Sequence, residues 1–530
     1  MKHWLFIIVI SLTAWLYIPL HSQMPVKNIK ISKPQHSPDE TSIAVNPLNP
    51  KHVVAGANLN FYYFSMDGGT TWNEGTMSSV YGVHGDPSLV FDVDGNLYYA
   101  HLSNPGMNYS KWLDRIVVEK STTGGMSWSG GVGVGLNWPR QQDKEWLAVD
   151  ITDSPYRNNI YMAWTEFDKY SPTKIPADSS RMLFSRSTDG GQSWSSPIRI
   201  GEIQGDCIDS DTTVEGGMPA VGPNGEVYVV WTNKDGIIFD KSLDGGASFG
   251  KDLTIRSLPV GWDYDIPGLS RCNGFPVICC DLSHSPYKGT IYIVWADKIY
   301  GTDDTDIFII ESTDGGSSWS EPLRVNNDSS SRHQFFPWAV VDQATGVLYV
   351  VFYDRRNTSG NATEVYMAKS TDGGKSFSNF RISDTSFTPI ANVFLGDYIG
   401  VAAHNRCVYP IWTIYDGKNK YAVVAPFEDT TTTSIRSDRL TPSTEVNLYQ
   451  NYPNPAEDFT AIDFDLPRQA HVTITVYDAT GNKIETLINE EKPAGRHTCV
   501  WNTSQKFSGL YFYKIEALGV TFFNKCVLTK

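Results

Sequence analysis

Basic residues are the minority charge in this chain: 43 Lys and Arg stand against 58 Asp and Glu, a formal net charge of −15. Nucleic-acid binding draws most of its affinity from clustered cations on phosphates. No such cluster occurs, so no nucleic-acid partner is expected, and an anionic ligand would need arginines concentrated locally against the overall field. Long apolar runs are scarce as well. Met1 to about Gln23 carries Lys2 and His3 and then an apolar stretch from Trp4 to Leu20, the pattern of a secretory signal peptide. No other stretch approaches the ~20 residues that a bilayer crossing requires, so no transmembrane span is expected in the mature chain. Cysteine numbers only seven, an odd count that leaves at least one thiol unpaired in an exported protein. Without CxxC spacing the cysteines do not propose a zinc site, and neither metal nor cofactor is expected. Cys499 and Cys526, in two strand-like C-terminal runs, are the candidate disulfide; the other five are buried thiols or members of one or two bridges.

What the chain has in abundance is one eight-residue phrase, written six times at the end of an apolar, β-branched run. The copies are SMDGGTTW (65–72), STTGGMSW (121–128), STDGGQSW (187–194), SLDGGASF (242–249), STDGGSSW (312–319) and STDGGKSF (370–377). The chemistry is that of a hairpin: Ser and Asp side chains bond the turn's own N–H groups, the glycines supply positive φ, and the ring folds back as a plug. The octet resembles the Asp box, the bacterial neuraminidase repeat of sialidase-type β-propellers, and the resemblance covers residues 26 to 428. The second copy has Thr123 in place of Asp, so a looser turn is expected there.

Each octet is preceded by an inner strand-like run and a second run rich in Tyr, Val and Trp, a repeated meander. The inner runs begin at Ser42, Ser88, Trp146, Met218, Val277, Trp338 and Tyr398, one more than the octets, with a period of about 59 residues that suits a four-stranded blade. The last unit lacks a fourth strand, and VKNIKIS (Val26–Ser32) looks like the outer strands of the others. An N-terminal strand completing the last blade would close the ring and remove an exposed edge. The expected fold class is therefore all-β, a β-propeller of seven blades, with six, the usual number in the sialidase fold, as the alternative. At 530 residues the chain exceeds one average domain. A Thr-, Ser- and Asp-rich linker (429–445) separates the propeller (24–428) from short alternating strands over 446–530, a small immunoglobulin-like sandwich. Asn451–Pro455 (NYPNP), Val476–Lys483 (VYDATGNK), Ala494–His497 (AGRH), Ser508–Tyr513 (SGLYFY) and Lys525–Lys530 resemble the type A C-terminal sorting domain of type IX secretion. That resemblance implies a partner in the type IX machinery, and secretion or attachment to the cell surface.

In an antiparallel propeller the loops leading into the inner strands share one face with those between second and third strands, while the octets lie on the other. Function is sought on the first face. Its loops carry Asp39, Glu40, His84, Asp86, Arg140, Asp143, Lys144, Glu145, Glu215, Arg271, Arg332, His333, Asp397 and Tyr398, joined by Glu166, Asp297, Asp354, Arg355 and Arg356. Loops are polar simply because they meet water, so density alone proves nothing. DVDGN (92–96) resembles part of a calcium loop but lacks the downstream Glu and joins two strands, which favours a hairpin turn. The sialidase resemblance implies three arginines gripping a substrate carboxylate, an acid/base Asp, and a Tyr nucleophile backed by Glu. Candidates are Arg140, Arg271, Arg332 or Arg355 for the clamp, Asp39 or Asp86 as acid, and Tyr398 as nucleophile with Glu145 or Glu215 behind it; His333 and Asp397 join the substrate-binding set. The family's Arg-Ile-Pro motif is absent, KNIKISKPQHSPDE standing in its place. Two functions stay open: an exported exo-glycosidase of sialidase type, or a non-catalytic propeller that binds a glycan, glycoprotein or other protein through rim aromatics such as Trp146 and Tyr398.

Overall fold

The computed structural model describes residues 26–105, 112–170, 174–301, 304–430, 446–448, 451, 454–456, 459–493 and 495–529. The signal-peptide segment and nearly all of the linker lie outside the described residues. Contacts divide the chain into two compact units, Met1–Thr433 and Ser434–Lys530. The named elements are all β-strands, and no helix among the described residues is long and apolar enough to cross a membrane.

The first unit consists of seven antiparallel sheets. Six are four-stranded meanders in chain order, blades I to VI, spanning 42–76, 88–134, 141–199, 215–256, 277–324 and 334–381. Blade VII takes four strands from 400–428, the last of them (Phe427–Glu428) a short one pairing with the second strand, and its outer strand from the opposite end of the propeller, where Ile29 pairs with Val424 and Lys30 with Val423. The ring is thus closed by backbone hydrogen bonds between its two ends, and the blade count is seven rather than six.

Second strands run through the interior and are apolar on both faces, which is why they read as continuous Val, Ile, Tyr and Trp runs. Trp164, Trp231, Trp295 and Trp412 hold equivalent places in the second strands of blades III, IV, V and VII and are at most 1% exposed. Burying a large ring contributes roughly 1.5–3 kcal/mol, and each of these side chains sits in an apolar cluster that spans neighbouring blades.

All six octets cap the turn between third and fourth strands. In the first, Gly69 N–H donates to Ser65 Oγ (2.9 Å), Thr70 and Thr71 N–H donate to Asp67 Oδ1 (3.0 and 2.9 Å), and Trp72 Nε1 donates to the Gly69 carbonyl (2.9 Å). At the deviant copy Thr123 Oγ1 accepts from Ser127 N–H (2.9 Å) and bonds Ser127 Oγ (2.8 Å), the same positions that Asp189 ties in the third copy, so the turn keeps its shape and the looser turn expected there is not seen. The DVDGN segment is a hairpin turn, with Asp92 Oδ1 accepting from Asp94 and Asn96 N–H at 3.0 and 2.8 Å.

The second unit is a sandwich of a three-stranded sheet (447–448, 459–466, 495–502) and a four-stranded sheet (470–478, 483–492, 509–517, 520–528). Ile462, Phe464, Val472, Ile474, Val476, Trp501, Tyr513 and Ile515 form its core. The expected disulfide is not formed. Cys499 lies in the first sheet and Cys526 in the second, and none of the seven cysteines is in a disulfide.

Candidate functional site

Where the inner strands begin, six blades repeat one backbone feature: Glu40 (φ 49°), Asp86 (φ 53°), Lys144 (φ 54°), Gly216 (φ 74°), Phe336 (φ 49°) and Gly396 (φ 102°) are all left-handed. In blades III, IV and VI the residue coincides with a β-bulge that shifts the inner strand's register. Holding a non-glycine residue in this region costs about 1–2 kcal/mol, and such strain persists where surrounding structure over-determines it, often at functional sites. Glycine is needed where space is least: a Cβ on Gly396 would stand 2.8 Å from the Glu40 backbone N.

The charged members of this ring converge. Lys144 Nζ lies 3.3 Å from Glu40 Oε1, 3.1 Å from Asp86 Oδ2 and 2.7 Å from Asp397 Oδ2, so one buried ammonium ties blades I, II, III and VII. Burial works against that charge, but Asp397, Asp86 and Glu40 outweigh it and hold the lysine well above its ordinary pKa. Asp397 is shared with Arg271, whose Nε donates to Asp397 Oδ1 at 2.8 Å while Nη1 reaches Asp209 Oδ2 at 3.1 Å. Burial opposes ionisation of Asp397, yet Lys144 and Arg271 together press its pKa below the usual carboxylate range. Asn58 joins the first two ring residues, accepting from Asp86 N–H (2.7 Å) and donating to Glu40.

Above this ring opens a cavity of about 640 Å³. Carboxylates Asp39, Glu40, Asp86 and Asp143, cations Lys144, Lys420 and Arg271, and rings Phe61, Trp112, Tyr170 and Phe394 all line it. Its cations are already engaged, Lys420 with Asp39 and the Phe394 carbonyl (3.0 Å). Negative charge is in excess: burial first, then Asp86 and Asp209, push Asp143 up to about 7 despite Lys144 beside it. Glu40 is raised by burial and then by Asp86. Below the ring Trp146, Trp338 and Tyr398 pack against one another, Trp146 4.6 Å from Trp338 and 4.8 Å from Tyr398 between ring centroids.

The structure distributes the residues singled out from sequence as follows. Asp39, Asp86 and Arg271 line the axial cavity, and Asp397 sits directly against Lys144 and Arg271. Tyr398 is buried beneath them; its hydroxyl has no hydrogen-bond partner, and burial, then Asp86 and Glu40, keep it a neutral phenol. Glu145 is likewise buried, with both carboxyl oxygens unpartnered and its pKa raised by burial and by Asp86. Glu215 lines an adjoining cavity of about 360 Å³ that shares Arg271 with the axial one and is also lined by Asp397. The other three arginines are engaged away from the axial cavity. Arg140 bonds Glu166 (3.0 Å) and Asp168 (2.9 Å), Arg332 reaches the Gly360 carbonyl (2.5 Å), and Arg355 donates to Thr363 Oγ1 (3.1 Å) and the Pro267 carbonyl (2.9 Å). His333 accepts from Thr305 N–H (3.2 Å), and burial followed by Arg355 lowers it to about 4, which leaves it neutral. Lys420, Asn58, Asp209, Trp112 and Tyr170 were not singled out; Lys420 begins a strand of blade VII and the others come from loops without a motif.

Residues 450–529 match the family described as "Secretion system C-terminal sorting domain". This domain marks the chain for export by type IX secretion, to the cell surface or the medium. No curated protein matches the chain. Among solved structures, a Hadza microbial sialidase is 14% identical, with 71% of this chain and 73% of that one covered and a TM-score of 0.38. An alpha-L-arabinanase of Penicillium chrysogenum is 13% identical, covering 64% and 92% with a TM-score of 0.43. The NanB sialidase of Streptococcus pneumoniae is 9% identical, covering 71% and 83%, also at 0.43. Likeness at this level transfers no residue role to this protein.

Proposed function

We propose that this exported propeller recognises a glycan in its axial cavity. One observation carries the reading: a single opening of about 640 Å³ is walled by four aromatic rings and floored by four carboxyl groups. Aromatic faces suit the apolar faces of pyranose rings, and carboxylates accept hydrogen bonds from sugar hydroxyls. Titration of the full chain with a panel of neutral, amino and acidic oligosaccharides tests it. One class is expected to bind, with Trp112→Ala weakening it at least about tenfold; absence of binding across the panel refutes the reading.

Hydrolysis is the second reading, favoured by the contrast between Asp143, held up to about 7, and the ionised Asp397 across Lys144. Carboxyl groups pushed apart in this way divide the roles of proton donor and anion. Release of reducing ends by the wild type, cut about 10²–10⁴-fold in Asp143→Asn, is the expected outcome. Tyr398→Phe separates a tyrosine nucleophile from a carboxyl route, since only the former requires that hydroxyl.

A further inference from the structure

The cavity of about 360 Å³ beside the axis is lined by five carboxyl groups, those of Asp209, Glu215, Asp263, Asp265 and Asp397, against one cation, Arg271. Its wall is aromatic: Trp262 and Phe275 stand 5.0 Å apart between centroids, with Tyr264 beside them. The loop bearing Trp262 is pinned by Asp211, whose Oδ1 accepts from Trp262 and Asp263 N–H at 2.6 and 2.7 Å. Arg271 cannot serve an incoming anion without giving up Asp397 or Asp209, both of which it already grips.

Two acceptors point to what is missing. Glu215, 1% exposed, has its Oε2 without a donor from any other residue, as has Asp209 Oδ1, and the two carboxyl groups face each other so that only a shared proton joins them. An unpaired buried acceptor costs about 1–3 kcal/mol, which a ligand donor would recover. A neutral donor would satisfy the hydrogen bonds alone. A cation would also offset the five-to-one excess of acidic groups and meet ring faces suited to it. Most of the charged neighbours of Glu215 are carboxylates. Glu215 faces Asp209 and Asp143, with Lys144 opposing, and burial and these carboxylates raise its pKa.

Building on the glycan reading, we propose that this second cavity is a subsite for a protonated amino group on the bound sugar, an amino sugar with a free amine. Because the two cavities share Arg271, the sugar would reach from the axial cavity into the acidic one.

The test is calorimetric titration of the full chain with three oligosaccharides of matched length: de-acetylated chitosan, neutral cello-oligosaccharide and oligogalacturonate, at about pH 6 where amines of this type are charged. The amino sugar is expected to bind at least about tenfold tighter than the neutral one and the acidic one least. In Glu215→Gln with Asp209→Asn the tenfold preference should vanish while neutral binding persists. Proton release on amine binding, read as a buffer-dependent heat, is expected in wild type and reduced in the variant. Equal or tighter binding of the neutral or acidic sugar overturns the subsite but leaves the glycan reading intact. No binding by any of the three overturns the glycan reading and the subsite with it. If calcium displaces the amino sugar at concentrations that leave the neutral sugar bound, the subsite is a metal site and the proposal fails.

Discussion

Lys144 illustrates how one side chain can hold a fold and a site together. It is left-handed, buried, and in contact with three carboxylates from three other blades. Lys144→Met would leave Glu40, Asp86 and Asp397 facing one another, and breaking a buried ion cluster from one side typically costs about 3–5 kcal/mol. A fall of that size in denaturant unfolding free energy is expected, with ligand binding lost. Thr123 offers the opposite case. Restoring Asp, which in the first octet also accepts from the N–H three residues on, should stabilise the protein by about 0.5–1.5 kcal/mol, measured by the same assay. Two populations of carboxyl group bracket the pH dependence. In the first octet, bonds from the Thr71 hydroxyl and N–H hold Asp67 down to about 2, so its contribution is present above about 4 and is lost as pH falls toward 2. Asp143, raised to about 7, works in the other sense: its contribution is complete below about 4 and is lost as pH rises through 7. Melting temperature should therefore peak on the acidic side of neutrality, and Asp143→Asn should flatten the alkaline limb.

At the scale of elements, the closing strand and the ring of left-handed residues matter most. Ile29–Lys30 is two residues long, yet it covers the outer edge of blade VII and joins the two ends of the propeller. Deleting residues 26–32 should expose that edge and yield a lower melting temperature with concentration-dependent association, visible by light scattering. Gly396→Ala should be costly as well, because the new Cβ meets the Glu40 backbone at 2.8 Å in a strained region. A loss of about 2 kcal/mol or more is expected. The meander itself was legible from alternating apolar runs and octets, since hairpin chemistry is local. The left-handed residues at the inner-strand starts were not. No turn motif marks Glu40, Asp86 or Lys144, and they become left-handed only where the strand must bend toward the axis.

The whole molecule joins a propeller that gathers loops from seven blades to a C-terminal sorting domain that directs export. Removing residues 446–530 should leave the propeller folded and the protein retained inside the cell, tested by fractionation and by near-ultraviolet circular dichroism. Of the residues singled out in the loops, Asp39, Glu40, His84, Asp86, Asp143, Lys144 and Arg271 meet at the axial cavity, while Arg140, Arg332 and Arg355 bond elsewhere. Charge type was readable along the chain; direction was not, because a long arginine side chain can turn toward the axis or toward its own blade.

By itself the sequence determined the repeat, the seven meanders, the closing strand and the sorting domain. Each follows from short-range rules: glycine's freedom at positive φ, side-chain bonds within a turn, and the two-residue period of a strand. Only the tertiary structure decided which charges share a cavity, that Lys144 is enclosed by carboxylates, and that the acidic groups outnumber their partners. Those facts depend on how loops from separate blades meet around one axis, and no local interaction encodes that meeting.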